Sequence, residues 1–296
     1  MRLTAALFSS LLLLTPISAG ADSRDTAPDP DHPPAIEELS ISSGGARMPG
    51  LIYIANGEGP HPTVVLLHGF PGNEKNLDIA QALRREGFNV LFFHYRGAWG
   101  AEGSYSIRQL DDDTLAVLSF LREPANSGKY RVDSAHISLL GHSLGGYTAL
   151  AAGRLDPEVV CVGAMAPANL GFWKAGFAKG DNVGERLFAY ADSLFMLRDF
   201  DGAVMRQQLQ SASLDELDTR RFGAALRGKS VFIVVGDEDT VTTAEEMFEP
   251  VVAAYEAVEG LDLEHHIITG DHSFSWSRLL LTRLVLDWLE RDCRSG

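Results

Sequence analysis

Ile137-Ser138-Leu139-Leu140-Gly141-His142-Ser143-Leu144-Gly145-Gly146 is the stretch on which the fold turns. Ile137–Leu140 is a short apolar run of the kind a buried parallel strand needs. Leu144–Arg154 reads as a helix. Between them, Gly141 to Gly145 fits G-x-S-x-G. In a strand–turn–helix setting that spacing has a steric reason. The central Ser sits on a strained turn, so its neighbours must be small, and the turn holds its hydroxyl above the sheet. The amides and dipole of the next helix then face any negative charge that develops there. Ser143 is the candidate nucleophile.

Outward from this turn the chain alternates. On its N-terminal side lie a strand at Thr63–Leu67, a helix at Leu77–Arg85, a strand at Val90–Tyr95 and a helix at Leu110–Leu121. Two further strand-like runs, Ile36–Ser42 and Met48–Ala55, flank Gly44-Gly45. On its C-terminal side come strands at Val159–Met165, Val231–Val235 and Leu263–Ile268. Helices are expected from Thr243 to about Glu259, opened by Thr243 with Glu246 three residues on, and over Trp276–Arg291. Strands separated by helices of ten or more residues imply an α/β fold. Its sheet is eight-stranded and mainly parallel, with helices on both faces.

About sixty residues, 168–227, break the alternation and contain no convincing strand. Val183, Leu187, Ala191, Leu194 and Leu197 mark a helix. Seven of the 31 residues from 170 to 200 are aromatic, against 26 of 296 in the chain, so the stretch reads as an aromatic-rich helical cap inserted after the sixth strand. Phe172, Trp173, Phe188 and Phe195 are its candidate pocket residues.

The chain of 296 residues is long enough for one large domain, residues 36–296. A net charge of −15 argues against nucleic acid as a partner, because phosphate binding needs clustered cations. Residues 1–21 have the layout of a signal peptide: Arg2, the apolar run Leu11 to Leu14, and small residues ending at Ala21. Residues 22–35, with four prolines, read as a flexible leader. No later segment is apolar for 18 residues, so no stable membrane insertion is expected after cleavage. The protein is expected to be exported, either secreted or periplasmic. Cys161, in an apolar run, is expected to be a buried free thiol, and Cys293 a stray exposed one, rather than a bridged pair. No CxxC or HExxH occurs, and no metal or cofactor is expected.

A Ser nucleophile needs a base, and the base needs an orienting carboxylate. Of nine histidines, His272 alone follows the last strand, in Gly270-Asp271-His272-Ser273-Phe274, which makes it the candidate base. His142 is expected to point away from the site, and His68 to be structural. The acid is sought after the penultimate strand, where Asp237, Glu238 and Asp239 compete. Asp239 fits best, sitting furthest out before the Thr243 helix. His68-Gly69-Phe70-Pro71-Gly72 follows the first buried strand, so the Phe70 and Leu144 amides can form an oxyanion hole. Asp111-Asp112-Asp113 reads as carboxylates at a helix start rather than a metal or amine site, and Glu74 as a solvated helix N-terminus.

The order Ser143, Asp239, His272, with the His68–Gly72 loop and the Gly141–Gly146 elbow, resembles the α/β-hydrolase superfamily over roughly residues 36–292. Pro71-Gly72-Asn73-Glu74-Lys75-Asn76 and Tyr95-Arg96-Gly97-Ala98-Trp99-Gly100 are similar to single-domain members related to the prolyl-oligopeptidase and serine-aminopeptidase groups. The resemblance implies a serine hydrolase acting through an acyl-enzyme, and the aromatic cap, read as an apolar acyl or alkyl pocket, favours small-molecule carboxylic esters. The alternatives are a serine peptidase of aminopeptidase or acyl-peptidase type acting on short peptides, and a non-catalytic binding protein on the same fold.

Overall fold

The computed structural model describes residues 27–179 and 182–294. The signal-peptide reading lies outside them, as do leader residues 22–26. The described part of the leader is tied to the domain: Asp29 N–H donates to Asn56 Oδ1 at 2.8 Å, and the Arg131 guanidinium donates to the Pro33 carbonyl at 3.0 Å.

Eight strands form one sheet: β1 (Ala35–Ser43), β2 (Ala46–Ile54), β3 (His61–Leu67), β4 (Asn89–Phe93), β5 (Val132–His142), β6 (Cys161–Met165), β7 (Ser230–Gly236) and β8 (Asp262–Ile268). Their spatial order is β1-β2-β4-β3-β5-β6-β7-β8. The β1–β2 and β2–β4 pairs are antiparallel and all others parallel. Gly44 and Gly45 turn β1 into β2 with φ of 55° and 80°, the left-handed pair that a tight hairpin requires. The chain leaves β3 toward β4 on one side and returns as β5 on the other. Such a reversal opens a crevice at the carboxyl ends of the two strands, and ligands bind there in open α/β sheets.

The strand alternation divides the core. Val65, Leu67, Leu139, Val162 and Ile233 pack on one face against α2 (Leu110–Arg122), α4 (Leu144–Gly153) and α9 (Glu249–Glu256). Val64, Leu66, Leu140, Phe232 and Val234 pack on the other face, against α1 (Leu77–Arg85) and α10 (Arg278–Asp292). The expected helices thus sit on both faces. The exception is the segment expected to form one helix from Thr243. It is a wide turn at Ala244–Phe248 followed by α9, because Pro250, in the first turn of α9, has no N–H to continue a regular ladder. The short helix α3 (Pro124–Tyr130) was not anticipated, since only Tyr130 of its seven residues is buried and no apolar period marks it.

The cap consists of α5 (Leu170–Lys179), α6 (Asn182–Asp192), α7 (Gly202–Ser211) and α8 (Leu214–Leu217). It is stitched to the loop after β4. Trp99 N–H donates to the Met196 carbonyl at 2.9 Å, Arg198 N–H to Gly97 at 2.7 Å, and Tyr105 N–H to Arg198 at 2.9 Å. That loop is anchored in turn by Asp113, which is fully buried. Its carboxylate accepts from Ser43 Oγ at 2.7 Å and from Arg96 N–H at 3.0 Å, and pairs with the Arg96 guanidinium. The third Asp of the Asp111–Asp113 run, in the first turn of α2 as expected, is therefore also an internal strut.

The cysteine expectation is overturned. Cys161 and Cys293 form a disulfide with Cα atoms 5.9 Å apart. Cys293 is no stray surface thiol: α10 crosses the sheet so that its C-terminal end lies over β6, and both cysteines are buried. Among the described residues no helix is long and apolar enough to cross a membrane.

Candidate active site

The elbow between β5 and α4 places Ser143 at φ 57° and ψ −120°, a conformation that costs a non-glycine residue about 1–3 kcal/mol. Neighbouring backbone holds it there. Ser143 N–H donates to the Met165 carbonyl at 2.9 Å, and the Ser143 carbonyl accepts from Ala168 N–H at 3.0 Å. The glycines of the motif are demanded by crowding. A Cβ on Gly141 would strike the Gly145 carbonyl, and one on Gly145 would strike the Leu67 carbonyl.

The loop after β3 runs across this elbow. A Cβ on Gly69 would stand 2.9 Å from Ser143 Cβ and 3.4 Å from Oγ, so the backbone entering Phe70 passes beside the nucleophile. Leu144 opens α4, and its N–H is one of the donors a helix start leaves without an internal partner. These are the two amides expected from the sequence. The loop is braced from behind. His68 Nδ1 donates to the Gly69 carbonyl at 2.8 Å, and Trp99 Nε1 donates to the Pro71 carbonyl at 2.7 Å. The Phe70 ring packs edge-on against Phe200 and Tyr190 of the cap, with centroids 5.9 and 6.0 Å away.

His272 and Asp239 meet as expected. His272 Nδ1 donates to Asp239 Oδ2 at 2.8 Å. Asp239 is buried, and its carboxylate also accepts from Val241 N–H at 2.7 Å, Thr242 N–H at 2.9 Å and Thr242 Oγ1 at 2.8 Å. Burial pushes this carboxyl's pKa up, but the His272 contact and the two amides outweigh it, so the group lies below its usual range. Asp237 has a different task. Its Oδ1 accepts from Gly270 N–H at 3.0 Å, pinning the loop that carries His272. Arg278 pins the other end, donating to the Ser273 carbonyl at 3.2 Å and to Asn76 Oδ1 at 3.0 Å, while also pairing with Asp78.

His142 departs from its expected orientation. Its ring lies 4.9 Å from that of His272, and its Nε2 donates to the His272 carbonyl at 2.7 Å. Its position next to Ser143 was the available signal. Thr242 was also missed; its hydroxyl lies 3.0 Å from the Ala166 carbonyl as well as beside Asp239, linking the ends of β6 and β7.

Ser143 and His272 line one cleft of about 130 Å³, with Phe70, Glu74, His142 and Tyr190 among its walls. Of the described cap residues, Tyr190 is the one that lines it. The four aromatics expected there do not. Trp173 and Phe188 are buried in the main core, where the Phe188 ring packs tilted against Phe177 with centroids 4.6 Å apart. Phe172 packs against the same core, and Phe195 is 91% exposed. Helical spacing marked the cap's buried face but not which of its ends meets the crevice. Glu74 lines the cleft while its Oε1 accepts from Asn76 N–H at 2.7 Å, just before α1. Among the described residues no group of three or more His, Cys, Asp or Glu is placed to hold a metal ion.

Three imidazoles around the site are held neutral. Burial drives the His68 pKa to about 4 and those of His94 and His142 to about 3. Unfolding returns each to its ordinary 6.5. Below that pH the unfolded chain binds more protons than the folded one. Each imidazole therefore removes about 1.4 kcal/mol of stability per pH unit until its folded pKa is reached. Asp239 acts in the same direction at lower pH, because a depressed carboxyl loses its contribution as pH falls through the carboxylate range. The melting temperature is expected to be nearly level above pH 7 and to fall steeply from pH 6 to 4. Circular dichroism melts across that window check it, and a level profile there contradicts the buried neutral imidazoles.

Comparison with known proteins agrees with the fold. Residues 64–278 match the sequence model of the alpha/beta hydrolase family. Esterase EstD of Thermotoga maritima is 34% identical over 145 residues, which is 45% of this chain and 31% of that protein. A lysophosphatidylserine lipase of Danio rerio is 28% identical over 96 residues, 31% of this chain and 23% of that protein. The chain thus spans less than half the length of these relatives. Among solved structures, Est1E from Butyrivibrio proteoclasticus superposes with a TM-score of 0.65 at 19% identity, covering 86% of this chain and 98% of that one. The esterase Pf2001 of Pyrococcus furiosus also superposes at 0.65, with 18% identity and coverage of 88% and 91%.

Proposed function

Because the chain belongs to the alpha/beta hydrolase family, we propose that it is a serine hydrolase that cleaves small carboxylic esters through an acyl-enzyme. The observation that carries this reading is the convergence of Ser143 and His272 on one cleft, with Asp239 behind the imidazole at 2.8 Å.

Ser143 Oγ attacks the ester carbonyl carbon while His272 Nε2 takes its proton. The carbonyl oxygen becomes an oxyanion and accepts from the Phe70 and Leu144 amides, which are already fixed by the loop and the helix start. Collapse expels the alcohol, to which His272 returns the proton. Water then attacks the acyl-serine with His272 again as base, releasing the acid and restoring Ser143. Asp239 keeps the proton of neutral His272 on Nδ1, so Nε2 is free to accept. It also stabilises the imidazolium. Its depressed pKa supports that role, since the group stays ionised at neutral pH.

Esters are preferred to peptides because several of the similar proteins are named esterases. A cleft of only about 130 Å³ supports a short acyl group rather than the long apolar one that an aromatic cap suggests. The test is a panel of p-nitrophenyl esters from acetate to laurate, run beside aminoacyl-anilides. Turnover is expected on the esters, highest for the shortest acyl groups. Faster turnover of the anilides moves the enzyme to the peptidases.

A further inference from the structure

We infer that His142 is a positioning residue: through its imidazole N–H, the residue before the nucleophile fixes the loop that carries the general base. The inference rests on the reading of Ser143 and His272 given above. His142 ends β5, is buried, and points not into solvent but toward the loop after β8. A backbone carbonyl can only accept, so the 2.7 Å contact to the His272 carbonyl requires the proton to be on His142 Nε2. The tautomer is thereby defined.

His272 then has two anchors of different kinds. Asp239 holds its ring at Nδ1, while His142 holds its backbone. The first sets which nitrogen faces Ser143, and the second sets where the ring is hung. Since His142 is bonded in sequence to Ser143, the same strand end fixes both the nucleophile and the height of its base.

The Nε2–H donor needs no positive charge on His142. Its ring is tilted 45° to that of His272 at 4.9 Å, so a proton on both would put two cations side by side during the reaction. The groups around it are His272, Asp239, Arg278 and the Phe274 ring at 6.4 Å. Burial first, and then the positive charge of His272, disfavour protonation, against opposing pulls from the His272 carbonyl and Asp239, while Arg278 adds a smaller push in the same direction as burial. The neutral donor persists until the pH falls to about 3.

Packing alone predicts a different mutational pattern from donation. Gln and Met are unbranched and similar in length, and differ in carrying an N–H. His142→Gln, His142→Met and His142→Phe are compared by the rate of labelling with a fluorophosphonate probe, split into a saturation constant and a maximal rate. The labelled peptide is identified by mass. His142→Met and His142→Phe are expected to lose on the order of 10²-fold in maximal rate, the scale of a misplacement near 1 Å, with the saturation constant unchanged. His142→Gln is expected to recover most of that loss, and melting temperatures report that each variant is folded. Labelling of His142→Met as fast as His142→Gln overturns the inference, as does His142→Gln being as slow as a folded His142→Phe. If the wild-type chain takes label at Ser143 but turns over no ester, the substrate reading falls while the His142 comparison stands. If it takes no label at Ser143, both fall.

Discussion

Ser143→Ala is expected to lower ester turnover by roughly 10⁴–10⁶-fold, the scale seen when the nucleophile of such a group is removed. The loss should fall on kcat with little change in KM, because the walls of the cleft remain and only the attacking atom is gone. What persists should be a small excess over the uncatalysed rate, supplied by the Phe70 and Leu144 amides. The variant should fold at least as well as wild type, since the strained backbone at φ 57° is fixed by Met165, Ala168 and the surrounding glycines rather than by the hydroxyl. Turnover within tenfold of wild type in a folded Ser143→Ala protein would remove this residue from the chemistry.

The second large effect separates three side chains that lie near the same loop. His272→Ala is expected to cost about as much as losing Ser143, because the members of such a group act as a unit. Asp239→Asn should cost roughly 10⁴-fold, since an amide can donate to Nδ1 and so stabilise the wrong tautomer. Asp237→Asn should be mild in kcat and visible mainly in stability. Its oxygen accepts one hydrogen bond from Gly270, and an asparagine oxygen can do the same. Steady-state kinetics on one short ester, with melting temperatures, measure all three. A larger kcat loss in Asp237→Asn than in Asp239→Asn would transfer the acid role.

The parts of this arrangement that were legible in the sequence are those set by local chemistry. The elbow needs small residues around Ser143, and Gly141 and Gly145 announce it. Short apolar runs mark β3, β6, β7 and the C-terminal half of β5 because those stretches are buried on both faces. His272 and Asp239 could be chosen by their place after the last two strands, and the structure joins them. What was not legible depends on how distant segments are brought together. The Cys161–Cys293 bridge requires the end of α10 to lie over β6, which no spacing encodes. The side of the cap that meets the crevice is set by the pairing of 196–198 with 97–105, so Tyr190 enters the cleft while Phe195 faces out. His142 looked like a motif filler, because the partner of its N–H is a backbone carbonyl 130 residues away.

The disulfide also divides the protein in a way that the sheet does not. The covalent ring it closes runs from Cys161 to Cys293 and contains the whole cap, Asp239 and His272, while Ser143 and the Phe70 loop lie on the strand of chain that enters it. A single protease cut at any peptide bond between those two cysteines therefore yields no free fragment. The enzyme would migrate as an intact chain on a gel without reductant and split into two pieces only when reduced. A nick in the cap would leave acid, base and nucleophile on one covalent molecule. Cleavage within the cap thus leaves the reacting groups tethered to one another.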